Sequence, residues 1–227
     1  GARGDLGMHF PLEEVPKLQK DIIEACIDRG KPVIVATQLL SSMIENPVPT
    51  RSEIVDIVTA LSEGVDVLML TSETAIGRYP VEAVRWLAKI IERYEPMITP
   101  PKRRLAKGEN IRDRFASGIV SLAESLNAMI AVYTISGKTA ERIASFKPSC
   151  LIISASPNKR TLRKLTLIRG IETIESKSES YEEGLTELEQ KLARSEMSFT
   201  GSIIVLTYGM REEPVHLIKI IQVRKEE

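Results

Sequence analysis

Lys31-Pro-Val-Ile-Val-Ala-Thr-Gln38 is the stretch on which the fold turns. Its apolar part, Pro32 to Ala36, lacks the alternation of a strand with one wet face and reads as a parallel strand buried on both sides. Upstream, Leu12, Val15, Leu18, Ile22, Ala25 and Cys26 recur at helical spacing until Gly30 supplies a stop. Downstream, Thr50-Arg-Ser-Glu53 forms a capping box for a helix striped by Ile54, Ile57, Val58 and Leu61 and ending at Gly64. A second buried strand, Val65 to Leu70, precedes a helix opened by Pro80 and striped by Val81, Val84, Leu87, Ala88, Ile91 and Tyr94. This alternation spells βα units on a parallel sheet, whose active sites gather beyond the carboxyl ends of the strands. Asp5, Thr37 and the run Thr71 to Glu73 all fall on that rim.

Pro96, Pro100 and Pro101, with Lys102-Arg-Arg104 and Lys107-Gly108 behind them, read as an exposed linker. The expected organisation is therefore a first domain over 1–96, a linker over 97–110 and a second domain over 111–227. In the second domain strands are expected at 129–135, 150–155, 171–174, 202–207 and 215–223. Helices fall between them, one capped by Ser180-Tyr-Glu-Glu183.

Composition removes several function classes. Lys plus Arg and Asp plus Glu both number 31, so no net field draws nucleic acid or an anionic membrane, and aromatics at 4% leave few rings for base stacking. No apolar run approaches the roughly 20 residues that span a bilayer, and the start has no signal-peptide pattern, so a soluble cytoplasmic protein is expected. Cys26 and Cys150 read as buried free thiols of a reducing compartment, and with His9 and His216 as the sole histidines a Cys/His zinc site is not expected.

Arg3-Gly-Asp5 has the form of an adhesion tripeptide, a pattern common by chance, and Asp5 alone could be a helix-entry carboxylate worth about 0.3–1 kcal/mol. Its company carries more. Ala2-Arg-Gly-Asp-Leu-Gly7, Lys31 to Gln38, Asn46-Pro-Val-Pro-Thr-Arg-Ser-Glu53 and Leu70-Thr-Ser-Glu-Thr-Ala-Ile-Gly77, followed by Tyr79-Pro80, resemble pyruvate kinase in order and spacing. The resemblance implies an α/β chain: a partial (β/α)8 TIM barrel followed by a C-terminal α/β domain with a mostly parallel sheet. It also implies phosphoryl transfer from phosphoenolpyruvate to ADP, Mg2+ or Mn2+ with K+ as candidate monovalent partner, and a homotetramer.

By that resemblance Asp5 is a metal ligand, while the backbone around Arg3, Gly4 and Asp5 and the Thr37 hydroxyl receive the substrate carboxylate. Thr71 aligns with the serine tied to enolate protonation, the family's Ser-Gly-Glu being Thr71-Ser72-Glu73 here, and Glu73 orients that relay. Ile76 stands where the family has a lysine, which removes one contact to nucleotide phosphates. Arg51 matches a loop near the subunit interface; its bland reading is an exposed arginine inside the capping box.

In the second domain Val132 to Thr139 ends a strand and opens a helix. It lacks the first glycine of a Walker A loop, so an ATPase is not expected. Two readings stand: an ordinary turn capped by Ser136 or Thr139, or a phosphate loop. The resemblance favours a loop for a phosphorylated effector, made of Thr134, Ser136, Gly137, Lys138 and Thr139. Glu212 and Glu213 in the late loop should repel a bisphosphate, with Arg211 as partial offset, so a monophosphate effector or none is expected.

The family's earlier barrel strands, lid domain, catalytic lysine and metal-binding glutamate have no counterpart in this sequence. The chain alone is therefore expected to be inactive and its barrel part poorly folded unless another segment supplies the strands. The alternatives are a non-catalytic phosphometabolite-binding protein and another metal-dependent barrel enzyme acting on pyruvate or its enolate.

Overall fold

Strands β1 (Ile34–Ala36) and β2 (Val67–Met69) run parallel, with Ala36 opposite Met69, so both end at the same rim. The computed structural model describes residues 7–106, 108–194, 201–209 and 216–223. The chain divides into two compact units, Gly1–Lys102 and Arg103–Glu227.

In the first unit three helices cover one side of the strand pair: Val15–Asp28, Arg51–Glu63 and Pro80–Tyr94. They meet in a core that includes Ile23, Ile27, Ile57, Leu61, Leu87 and Ile90, with Leu39, Leu40 and Met43. The middle helix has the expected cap: Thr50 Oγ1 accepts from the Glu53 amide at 3.3 Å, and Glu53 Oε2 accepts from the Thr50 amide at 2.8 Å. Glu53 also accepts from the Ser42 amide at 2.7 Å and the Ser42 hydroxyl at 2.6 Å, fastening the 3-10 turn Ser41–Ile44 to the helix start. Gly64 closes the helix at φ 92°, a conformation glycine reaches without steric cost.

Two expectations need correction here. The first and third helices are turned from the stripes read in the sequence: Gln19, Ile23 and Ile27, and Ala83, Leu87 and Ile90, face the core, while Leu12, Ile22, Val81 and Val84 are exposed. Each sequence carries apolar residues on more than one side, and periodicity alone does not choose which side meets neighbours. The strands, three residues each, are also not buried on both faces, because Val33, Val35 and Ala36 are covered while Ile34 and Met69 remain 42% and 46% exposed.

The second unit is a five-stranded sheet in the order β5-β4-β3-β6-β7, made of β3 (Met129–Tyr133), β4 (Ile152–Ser156), β5 (Ile171–Glu175), β6 (Ile203–Gly209) and β7 (His216–Gln222). All neighbours pair in parallel except β6 and β7. The expected α/β class with a mostly parallel sheet is observed. Ile130 and Val132 face one core with the helices Ile111–Ser125, Lys138–Ala144 and Lys159–Leu165. Ala131 and Tyr133 face the other, under the helix Tyr181–Ala193. That last helix lies so close to β3 that a Cβ on Gly184 would stand 2.1 Å from the Tyr133 ring.

The capping box expected at Ser180 does not form. Ser180 is the N-cap but its hydroxyl makes no cap bond; Ser178 Oγ accepts from the Ser180 amide at 3.1 Å and meets Glu183 Oε2 at 3.1 Å instead. The 176–180 segment is held by Glu187, which accepts from Ser176 Oγ at 2.6 Å and the Lys177 amide at 2.9 Å, and by the Tyr133 hydroxyl donating to the Ser178 carbonyl. Neither cysteine is in a disulfide, and both are half-buried rather than buried.

Candidate functional site

Thr37 and Gln38 follow β1 with φ of 71° and 53°, left-handed values for two consecutive non-glycine residues. For the β-branched threonine this costs on the order of 1–3 kcal/mol, a strain that tends to sit at functional sites. The next residues, Leu39 and Leu40, plunge into the core and hold the bend in place.

The loop after β2 is tied to that bend by one carboxylate. Glu73 is 1% exposed on the short helix Ser72–Ala75, which the sequence reading had not anticipated. Its Oε1 accepts from the Leu40 amide at 3.0 Å and its Oε2 from the Thr71 amide at 2.9 Å, with the Thr71 hydroxyl at 3.4 Å. Burial works against the charge, but the amides of Thr71, Glu73 itself and Leu40 outweigh it and hold the Glu73 carboxyl below the usual glutamate range. Glu73 is thus ionised near neutral pH, an acceptor and orienter rather than a proton source. Thr71 is half-buried and sits in a sparsely populated conformation, φ −129° and ψ −93°.

Arg3, Gly4 and Asp5 lie outside the described residues. Among the described residues no group of three His, Cys, Asp or Glu side chains could hold a metal ion, and the one rim carboxylate is committed to backbone amides. The described donor set does not fit Mg2+ by itself. Arg51 is exposed at the first turn of the capped helix.

The loop after β3 closes on itself. Thr134 Oγ1, 2% exposed, accepts from the Gly137 amide at 3.0 Å, and Gly137 at φ 82° is the N-cap of the following helix, displacing Ser136 and Thr139 from the capping role offered as one reading. Ser136, Lys138 and Thr139 then face a cleft of about 490 Å³ including its open mouth. Arg112 and Arg142 line the same cleft, so three cations share one hollow. Its third wall is aromatic: the rings of Phe115 and His216 stack at 4.5 Å and 21°, beside Tyr181. Burial first, and then the charges of Arg112 and Arg142, push His216 below the usual histidine range, and its Nδ1 is buried without a partner among the described residues.

Arg112, Arg142, Phe115, Tyr181 and His216 were not singled out from sequence. Arg142 lies four residues after Lys138 on one helix and so shares its face, a signal that was available. Arg112 and the rings come from distant elements with no local motif to connect them. Glu212, Glu213 and Arg211 lie outside the described residues.

Behind the cleft, Asp113 is 8% exposed. Burial works against its charge, while the guanidinium groups of Arg142 and Arg103 together hold it below the usual aspartate range.

Residues 1–84 match the family described as pyruvate kinase, barrel domain, and residues 113–221 the one described as pyruvate kinase, alpha/beta domain. The chain belongs to the pyruvate kinase family. It is 44% identical over 220 residues to the pyruvate kinase of Pyrobaculum aerophilum, covering 96% of this chain and 45% of the relative. The Aeropyrum pernix pyruvate kinase is 42% identical over 220 residues, covering 96% and 48%. The crystal structure of the Pyrobaculum aerophilum pyruvate kinase superimposes with a TM-score of 0.86 at 41% identity, over 97% of this chain and 46% of that one. The chain thus spans about half the length of the pyruvate kinases it matches, and its first unit is part of a barrel.

Proposed function

We propose that the complete protein transfers the phosphoryl group of phosphoenolpyruvate to ADP, giving pyruvate and ATP, and that this chain contributes the late barrel rim and an effector domain. The observation that carries the reading is Glu73, whose single carboxylate joins the loops bearing Thr37 and Thr71 at one end of two parallel strands. Kinship with pyruvate kinases at 40–44% identity supports the same reading.

In this reading the Thr37 hydroxyl and the segment Arg3 to Asp5 receive the substrate carboxylate. A Mg2+ or Mn2+ ion, with Asp5 as one ligand, would supply charge neutralisation of the phosphoryl and enolate oxygens; K+ is the candidate monovalent partner. Thr71 stands in the path by which a proton reaches the enolate carbon, and ionised Glu73 orients its hydroxyl. Arg51 would face a neighbouring subunit of a homotetramer, in a cytoplasmic glycolytic enzyme.

In the complete protein, Thr71→Val should lower kcat by about 100-fold or more with little change in KM for phosphoenolpyruvate, since a proton-relay group acts in the transition state. Thr71→Ser should keep most of the rate. Equal rates for wild type and Thr71→Val would remove Thr71 from the reaction.

A second site belongs to the reading: the cleft of Arg112, Lys138 and Arg142 takes a phosphorylated effector, preferably a monophosphate. Calorimetric binding of a sugar monophosphate that Lys138→Ala weakens at least tenfold is the expected result. Tight bisphosphate binding lost in Lys138→Ala would contradict the monophosphate preference.

A further inference from the structure

Resting on the anion-cleft reading above, we infer that Asp113 is the positioning residue of that cleft and couples its occupancy to Arg103, where the second unit begins. Asp113 Oδ1 accepts from Arg142 Nε at 2.9 Å, and Oδ2 accepts from Asn110 Nδ2 at 2.6 Å. Gripping a guanidinium by its Nε fixes the plane and direction of its terminal nitrogens, the ones that meet a phosphate in a fork. Arg142 lines the cleft, and so Asp113 sets how it is presented there.

The same Oδ1 stands 3.6 Å from Arg103 Nη1. Arg103 is a built-in partner rather than a surface charge: its side chain is 8% exposed, Nη2 pairs with Glu109 at 2.7 Å, Nη1 donates to Ser145 Oγ at 3.1 Å, and the guanidinium lies 4.8 Å over the Phe146 ring. Ser145 in turn donates to the Arg142 carbonyl at 2.7 Å. One carboxylate is therefore shared between an arginine of the cleft and an arginine next to Lys102, the last residue of the first unit. An anion that draws on the charge of Arg142 loosens the claim of Arg142 on Asp113 and strengthens that of Arg103. By linkage the influence runs both ways, so the state of Arg103 must be felt as anion affinity.

The test titrates the protein with inorganic phosphate by calorimetry and follows arginine Nε–H signals by 15N NMR. Phosphate should bind wild type, Lys138→Ala should abolish most of that binding, and Arg103→Gln should weaken it about fivefold or more. Arg104→Gln, which removes an equal but exposed charge one residue on, should change it less than twofold. Arg103→Lys should not restore the affinity, because an ammonium cannot span Glu109 and Asp113 together. In unsubstituted protein the Nε–H signals of Arg142 and Arg103 should shift along the titration with one common Kd, a readout that does not depend on any variant folding. Phosphate binding with an unmoved Arg103 signal, or equal effects of Arg103→Gln and Arg104→Gln, overturns the coupling and leaves the cleft standing. Absence of phosphate binding to wild type overturns the cleft and the coupling together.

Discussion

Glu73 shows how much one side chain can organise. It is nearly sealed from solvent, yet it is charged because three backbone amides solvate it. Replacing it by glutamine keeps the shape but loses the charge-assisted bonds to Leu40 and Thr71, so unfolding of the first unit should become easier by about 1–3 kcal/mol. A carboxyl whose folded pKa lies below its unfolded value of about 4.3 contributes stability above that value and loses it as pH falls through the lower folded pKa. Urea melts below pH 4.3 should therefore show a steeper acid loss in wild type than in Glu73→Gln. His216 has the opposite charge type. Its depressed pKa means that folding is penalised as pH falls below the unfolded value of about 6.5, and a phosphate in the cleft should move its NMR titration midpoint upward. Gly184 is the steric counterpart: any Cβ there meets the Tyr133 ring, so Gly184→Ala should destabilise the second unit by about 1–3 kcal/mol in thermal melts.

At the scale of elements, legibility followed the locality of the signal. The helix cap at Thr50 and Glu53 could be read because its two bonds span three residues, and Thr50→Ala should cost about 0.5–2 kcal/mol in denaturant unfolding. The Ser180 box had the same letters but formed differently, since Glu187, one more turn along the helix, already binds the Lys177 and Ser178 amides and sets the path of the chain. Strand positions were legible from continuous apolar runs, and their ends shifted by one or two residues, as with Met129–Tyr133 for the expected 129–135. Helix faces were less legible: Val81 and Val84 repeat with the right period but point to solvent, because which side of a helix is covered depends on its neighbours. The cleft was half legible. The loop Thr134 to Thr139 is a contiguous motif, whereas Arg112, Phe115 and His216 are brought there by the crossing of a helix and an antiparallel edge strand that no spacing rule connects.

At the scale of the whole molecule, the two units have separate cores and differ in completeness. The second closes a five-stranded sheet between helices on both faces. The first offers only two short paired strands among its described residues, with Ile34 and Met69 left open. Calorimetry on the 227-residue chain should accordingly resolve two transitions, and phosphate should raise the one belonging to the second unit alone. The chain by itself should form no pyruvate, because it spans about half the length of the pyruvate kinases it matches. The complete protein should couple enolate chemistry to nucleotide phosphorylation, and the direct measurement is the stoichiometry of products from phosphoenolpyruvate, ADP and Mg2+. One ATP should form for each pyruvate, with no pyruvate when ADP is withheld. Exchange of pyruvate methyl protons by a protein that does not use ADP would contradict it and would point to a different enolate enzyme built on the same rim.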